Sequence, residues 1–89
     1  MFLHLGQETT VKTENIVGIY DLDTSTVSKW TRQYLNLAEK EGRVVTVSYE
    51  LPKSFVIYKE KNDEKETVFI SPLSSQTLLR RINQKNIIT

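Results

Sequence analysis

Residues 54–71 have the sequence SFVIYKEKNDEKETVFIS, in which two β-branched and aromatic runs flank a charged link. The runs 54–59 and 67–71 are of strand length, and their Val, Ile, Phe and Tyr residues favour extended backbone. Asn62 and Asp63, at the centre of the link, are residues typical of turns. Because a link this short places the two runs side by side in opposite directions, we predict an antiparallel β-hairpin.

A further strand and an amphipathic helix are predicted before this hairpin. Alternation of apolar and polar residues from Val45 predicts a strand that ends near Leu51, where Pro52 interrupts the pattern. The helix is indicated by apolar residues at spacings of three and four, namely Val27, Trp30, Tyr34 and Leu37. Residues 23–26 supply side-chain oxygens that can cap its start, and Gly42 can end it. We expect Trp30 and Tyr34 to belong to the core, with an interface role as the alternative.

The two ends of the chain complete the predicted order. Residues 2–5, closed by Gly6, and residues 16–20 are β runs, and Val11 can extend a further short strand between them. After Pro72, either Ser74 or Ser75 can cap a short final helix. In that helix we expect Leu78, Leu79 and Ile82 to face inward and Arg80, Arg81 and Lys85 to face outward.

These elements predict one α+β domain over residues 1–89, with a small, mostly antiparallel sheet, one long helix and a short C-terminal helix. The chain has 89 residues and no cysteine, so tight packing or self-association must stabilise it. Strand edges give self-association a physical route. With neither a leader-like nor a membrane-spanning stretch in the sequence, we expect a cytoplasmic protein without membrane contact.

Catalytic and metal-binding chemistry lacks its usual residues. His4 is the only histidine, so we expect it to be structural or solvent-facing. The acidic residues of the hairpin link alternate with lysines, which is typical of a solvated loop, and Glu39 and Glu41 have the same setting. The serines around Pro72 fit a turn and a helix cap. We therefore predict no enzyme, cofactor, metal or small-molecule substrate.

Basic residues form two small groups on a chain of formal net charge +1. One lies along the long helix (Lys29, Arg32 and Lys40), the other in the final helix (Arg80, Arg81 and Lys85), and Lys53 stands apart after Pro52. Groups this small are more often solvated than functional. Repeated around an oligomer, they could form a continuous positive track for phosphate.

Four segments of the chain resemble the RemA/RemB extracellular-matrix regulator family. They are FLHLG (2–6), NIVGIYD (15–21), PKS (52–54) and SPLSSQTL (71–78), and their order and spacing match that family from residue 2 to about residue 81. The resemblance implies a fold similar to LytTR-type domains and a cytoplasmic bacterial regulator of matrix or biofilm genes. It also implies a closed ring of subunits that binds double-stranded DNA through arginines displayed around the ring.

The chain departs from the RemA branch where that branch carries arginines. Those arginines stand just before the second β run and as a pair just after the aromatic residue that ends the strand following the long helix. The matching positions here are Asn15 and residues 50–52, so these cations are missing. Lys53 follows at once, but a lysine lacks the planar, two-pronged donor group of arginine.

The sequence therefore favours a homo-oligomeric, ring-like regulator of matrix genes that contacts the DNA backbone. We predict Lys53, Arg80, Arg81 and Lys85 as its DNA-binding residues. The competing interpretation is an oligomeric protein-interaction module of the same fold that has lost DNA binding. The missing arginines favour this second interpretation, and the family association favours the first.

Overall fold

A computed structural model describes residues 1–22 and 28–88, with side chains described as far as Asn83. An α+β fold is confirmed, and the hairpin lies where the sequence predicts it. The strands are β1 (Phe2–Gly6), β2 (Thr9–Lys12), β3 (Ile16–Asp21), β4 (Val44–Thr46), β5 (Ser54–Tyr58) and β6 (Thr67–Ser71); the helices are α1 (Lys29–Lys40) and α2 (Ser75–Ile88), and a single 3₁₀ turn (Thr13–Asn15) precedes β3.

Two sheets form from these strands. One has four strands in the order β3-β5-β6-β4, and the other is the β1-β2 hairpin. β5 pairs antiparallel with both β3 and β6, whereas β4 pairs parallel with β6. The strand pairing is thus mostly antiparallel, as predicted, with one parallel pair, because α1 crosses over between β3 and β4 and returns the chain on the far side of β6.

The two faces of the larger sheet pack against different elements because side chains alternate along β5. Val56 and Tyr58 pack with Leu5 of β1 and Leu78 of α2 in one core cluster. On the other face, Phe55 and its neighbours form a second cluster with α1. The molecule thus has three layers, with the β1-β2 hairpin and α2 on one side of the sheet and α1 on the other.

Helix α1 differs from its prediction in which apolar residues it buries. Ala38 is fully buried, whereas Trp30 is 71% and Leu37 is 51% exposed, so the predicted core role of Trp30 is wrong. Tyr34 is only partly buried at the margin of its cluster. The sheet-facing side of α1 lies about 80° around the helix from Trp30, at Ala38, because each residue turns the helix by about 100°.

The ends of α1 are set by side-chain and backbone chemistry. The Ser28 Oγ accepts a hydrogen bond from the Thr31 N–H at 3.1 Å and caps the first turn. Gly42 has a φ of 72° and ends the helix as predicted. The predicted start signals at 23–26, and Val27, lie outside the described residues.

Helix α2 is longer than predicted. It has 14 residues against 12 in α1, because neither glycine nor proline interrupts the sequence after Ser75. Ser74 is the residue that caps it, since its Oγ accepts a hydrogen bond from the Thr77 N–H at 3.1 Å. Leu78 is fully buried as expected, but Leu79 is 48% exposed, so its predicted inward position is wrong.

Strand β4 is shorter than predicted, and its continuation forms an exposed loop. Directly after β4, the Val47 N–H donates a backbone hydrogen bond to the Ile70 carbonyl oxygen of β6 at 3.0 Å. Beyond it, Tyr49 is fully exposed and Leu51 is 78% exposed. Within the described part of the chain, no helix is both long enough and apolar enough to span a membrane.

Candidate DNA-contacting surface

Lys53 lies where the chain enters β5, and its backbone is fixed on both sides. Its N–H donates to the Ser71 carbonyl oxygen at 2.9 Å, and its own carbonyl oxygen accepts from the Leu22 N–H at 2.9 Å. These bonds join the ends of β3 and β6 to the start of β5. The side chain of Lys53 is exposed, so an ordered backbone presents a free ammonium group.

A shallow groove connects Lys53 with the first turn of α2. It has a volume of about 420 Å³ and is lined by Asp21, Leu22, Leu51, Pro52, Lys53, Ser74 and Gln76. Arg80 is exposed and stands four residues after Gln76, on the same side of α2. Lys53 and the first turn of α2 therefore border one groove, and Arg80 lies one helical turn further along α2.

Arg81 points to a different part of the molecule. Its Nη1 donates to the His4 carbonyl oxygen of β1 at 3.3 Å. Since Arg81 lies about 100° around the helix from Arg80, the two guanidinium groups do not form one patch. His4 is exposed, as expected, and its ring contacts the Gln7 carbonyl oxygen. The side chain of Lys85 lies outside the described residues.

The groove also contains a carboxylate. Asp21 Oδ1 accepts a hydrogen bond from Ser75 Oγ at 2.5 Å, which ties the end of β3 to the start of α2. The Ser71 hydroxyl is likewise occupied, because it donates to the Leu5 carbonyl oxygen at 2.6 Å. Ser75 thereby holds the α2 side of the groove in place, whereas Ser71 joins β6 to β1. Asp21 lowers the positive potential between Lys53 and Arg80.

The positions matching the RemA arginines are solvent-accessible but carry no cation. Asn15 ends the 3₁₀ turn before β3, and its carbonyl oxygen accepts from the Lys59 N–H at 2.9 Å. Glu50 and Leu51 lie in the exposed loop between β4 and β5. This loop therefore presents an acidic and an apolar side chain where the RemA branch presents cations.

A polar cluster between α1 and the β5-β6 hairpin was missed by sequence reasoning. The Tyr34 hydroxyl donates to the carboxylate of Glu66, and Arg43 Nη1 donates to the Glu66 carbonyl oxygen at 2.7 Å. Glu41 forms ion pairs with Arg43 at 2.8 Å and with Lys65 at 2.9 Å. The cluster fixes the end of α1 to the start of β6, so Glu66 does not belong to a fully solvated loop.

The cluster shifts the titration of its own members. The hydrogen bond from Tyr34 lowers the pKa of Glu66, and hydrogen bonds from Lys65 and Arg43 lower the pKa of Glu41. Partial burial, together with the negative charge of Glu66, raises the pKa of Tyr34. The lowered pKa values of Glu41 and Glu66 favour their ionised forms, which keeps their bonds to the neighbouring donors. We call this polar cluster, which holds α1 against the start of β6, the clamp.

In the described part of the chain, no three His, Cys, Asp or Glu side chains come together as a group that could hold a metal ion.

Comparison with known proteins relates this chain to one family. The family model RemA-like, described as Extracellular matrix regulatory protein A-like, matches residues 2–82. The chain belongs to the RemA-like family. It is also 33% identical over 81 residues to Extracellular matrix regulatory protein B of Bacillus subtilis (strain 168), which covers 91% of this chain and 89% of the relative.

The RemA-like match confirms the family inferred from the four sequence segments. It covers Lys53, Arg80 and Arg81 and ends before Lys85. All seven residues that line the groove beside Lys53 lie inside the matched range.

Proposed function

We propose that this chain is a cytoplasmic, homo-oligomeric regulator of extracellular-matrix gene expression that contacts the backbone of double-stranded DNA. Membership of the RemA-like family and the relative's description as an extracellular matrix regulatory protein support the regulatory part. The family resemblance supports a ring of subunits and a LytTR-like fold. The observation that carries the DNA contact is the exposed side chain of Lys53 at a groove that reaches the first turn of α2, the helix that also carries the exposed Arg80.

The charges on this surface are free to meet phosphate. Neither Lys53 nor Arg80 forms an ion pair within residues 1–22 and 28–83. The acidic residues of the hairpin link lie beyond the opposite end of β5 from Lys53, about 17 Å away for a strand of five residues. The acidic residues of the link are thus separated from Lys53, whereas Asp21 lines the groove itself.

One copy presents too few cations for appreciable DNA affinity, and repetition supplies the rest. Each phosphate neutralised contributes about 0.9 to the slope of log affinity against log salt. Two or three cations from each copy, repeated around an assembly, would track several phosphates at once. A lysine and an arginine that meet phosphates position the DNA without reading its sequence, so we expect weak sequence preference.

A protein-interaction module without DNA affinity is the second candidate function. The observation that favours it is the loop between β4 and β5, in which Tyr49, Glu50 and Leu51 are exposed where the RemA branch has its arginine pair. A carboxylate beside Lys53 repels phosphate. An aromatic and an aliphatic side chain at the tip of a loop are typical anchors of a protein interface.

Fluorescence anisotropy of a labelled duplex separates the two functions. The wild-type chain and the variant Lys53→Gln/Arg80→Gln would be titrated at several salt concentrations, with Lys61→Gln in the hairpin link as a matched control. A DNA-binding regulator loses affinity and salt dependence in the double variant and keeps both in the control. Absence of wild-type binding even at low salt would exclude direct DNA contact and support the interaction module.

A further inference from the structure

The loop between β4 and β5 carries a carboxylate, Glu50, that accepts a hydrogen bond from the Ser48 hydroxyl at 3.4 Å and has no ion-pair partner among the described residues. The Ser48 Oγ accepts a hydrogen bond from the Glu50 N–H at 3.1 Å, which holds the loop in a turn. Tyr49 and Leu51 flank Glu50 and are among the most exposed apolar residues of the structure. The Glu50 carboxylate forms no ion pair with any cation in the described part of the chain.

Helix α1 presents a surface of complementary character. The Trp30 ring stacks on Tyr34 with centroids 5.9 Å apart and planes at 9°, and the Tyr34 hydroxyl is held by Glu66. The exposed indole is therefore fixed in orientation. Leu37, also exposed, lies seven residues further on, about 10.5 Å along the helix axis.

Two cations border this apolar surface on its solvent side. Lys29 and Lys40 lie about 80–100° around the helix from Trp30, and Gln33 lies between them along the helix axis. Neither lysine forms an ion pair among the side chains that the structure describes. The helix thus offers two apolar anchors and unpaired positive charge, whereas the loop offers two apolar anchors and unpaired negative charge.

Within one copy the loop and this surface face away from each other. Pro52 lines a groove of about 360 Å³ together with Leu35 and Glu39, so the loop stands beside that flank of α1. Leu35 lies about 140° around the helix from Trp30. The loop therefore cannot cover the Trp30 surface of its own chain without leaving this groove.

We propose that the loop of residues 49–51 docks onto the Trp30–Leu37 surface of a second copy of this chain. Tyr49 and Leu51 pack against Trp30 and Leu37. Glu50 faces the side of α1 that carries Lys29 and Lys40, which stand about 16.5 Å apart along the helix axis. Because the two surfaces differ, the contact is head-to-tail, and repetition around a closed rotation produces a ring. This contact rests on the homo-oligomeric part of the proposed function and names the surfaces that form it.

Sedimentation velocity over a range of concentrations tests the apolar part of this contact. We expect the wild-type chain to be oligomeric and Tyr49→Ala/Leu51→Ser to raise the dissociation concentration at least about thirtyfold, as for the loss of an interface hot spot. Val17→Ser is the matched control, because Val17 is a comparably exposed apolar residue on β3. Far-UV circular dichroism checks that each variant is folded.

Reversing the charge of Glu50, or of Lys29 and Lys40, tests whether the loop and the helix attract each other. Glu50→Lys and Lys29→Glu/Lys40→Glu should each weaken assembly when alone, and an equimolar mixture of the two variants should restore it. In the mixture every loop meets a helix of opposite charge, as alternating copies. Glu8→Lys, an exposed change in the turn between β1 and β2, should leave assembly unchanged.

The outcomes distinguish failure of this contact from failure of the proposed function. If the wild-type chain is oligomeric and the loop and helix variants remain equally oligomeric, the docking is wrong and the homo-oligomeric function stands. If the wild-type chain is monomeric at all concentrations, both are wrong. Loss of assembly in both sets of variants, with recovery in the mixture and none in the controls, supports the contact.

Discussion

The Tyr34 hydroxyl donates a hydrogen bond to the Glu66 carboxylate, which joins helix α1 to the start of β6 over a separation of 32 residues. Through the same tyrosine ring, Trp30 is held in a parallel stack on the surface of α1. One side chain therefore connects the polar clamp to an exposed aromatic residue of α1. Changes in the clamp should consequently affect both stability and the surface proposed for self-association.

Tyr34→Phe should lower the free energy of unfolding by about 1 kcal/mol, because it removes a hydrogen bond to a charged and partly buried group. The aromatic stack with Trp30 is retained in this variant. Chemical denaturation followed by Trp30 fluorescence measures the change. Tyr58→Phe is a matched control, since its hydroxyl contacts only Glu60, in the adjacent link; an equal loss in both variants would contradict a special role of the clamp.

Stability should fall in acid through Glu41 and Glu66. Both have a pKa below the ordinary value of 4.5 in the folded chain, so the unfolded chain binds more protons as the pH drops. The stabilisation is present above about pH 4.5 and is lost as the pH falls through the lowered pKa values. Thermal unfolding at a series of pH values measures this loss.

Glu66→Gln should make the acid dependence shallower than in the wild-type chain, because one of the linked protons is removed. Glu64→Gln removes a carboxylate of the same hairpin that does not contact Tyr34 or Arg43, and it should leave the dependence nearly unchanged. If the two variants give identical pH profiles, the coupling of Glu66 to the clamp is wrong.

Leu78→Ala should destabilise the chain by about 2–5 kcal/mol, because a fully buried leucine leaves a cavity between α2 and the sheet. The neighbouring Leu79→Ala should cost about 0.5 kcal/mol or less, as for other exposed positions. Urea denaturation of the two variants compares them directly. Similar losses in both would place Leu79 in the core, as the sequence pattern predicted.

Gly18→Ala should displace Tyr20, because a Cβ at Gly18 would overlap the Tyr20 ring. The Tyr20 ring stacks on Phe55 with centroids 5.0 Å apart, a contact worth about 1 kcal/mol. In a Tyr20→Ala background the same alanine should instead stabilise β3 by about 0.5–1 kcal/mol, since it reduces backbone freedom in the unfolded chain. Additive effects in this double-mutant cycle would contradict the overlap.

The elements that the sequence predicted well are those specified by neighbouring residues. The 54–71 hairpin follows from two β runs and a turn, and its register places Phe55 opposite Ile70 as alternation requires. Gly42 ends α1, and Ser74 caps α2, through contacts within a few residues. Such local contacts are present in the sequence pattern itself.

Features that depend on distant partners could not be predicted in this way. Periodicity placed Trp30 and Leu37 on one side of α1, but whether another element covers that side depends on the angle of the helix on the sheet. Glu66 resembled a loop carboxylate because its partner Tyr34 is far away in the sequence. For the candidate site, residue type suggested Lys53 and Arg80, whereas the groove beside Lys53 arises only when the end of β3, the residues before β5 and the first turn of α2 come together.

The salt dependence of duplex DNA binding tests the central claim most directly. For an assembly that repeats Lys53 and Arg80, we expect a slope of log affinity against log salt steeper than about −3. Such a slope requires more phosphate contacts than the two or three cations of one copy can make. The Lys53→Gln/Arg80→Gln variant should reduce that slope. No binding at low salt, or a slope unchanged in this variant, would contradict DNA contact through this surface.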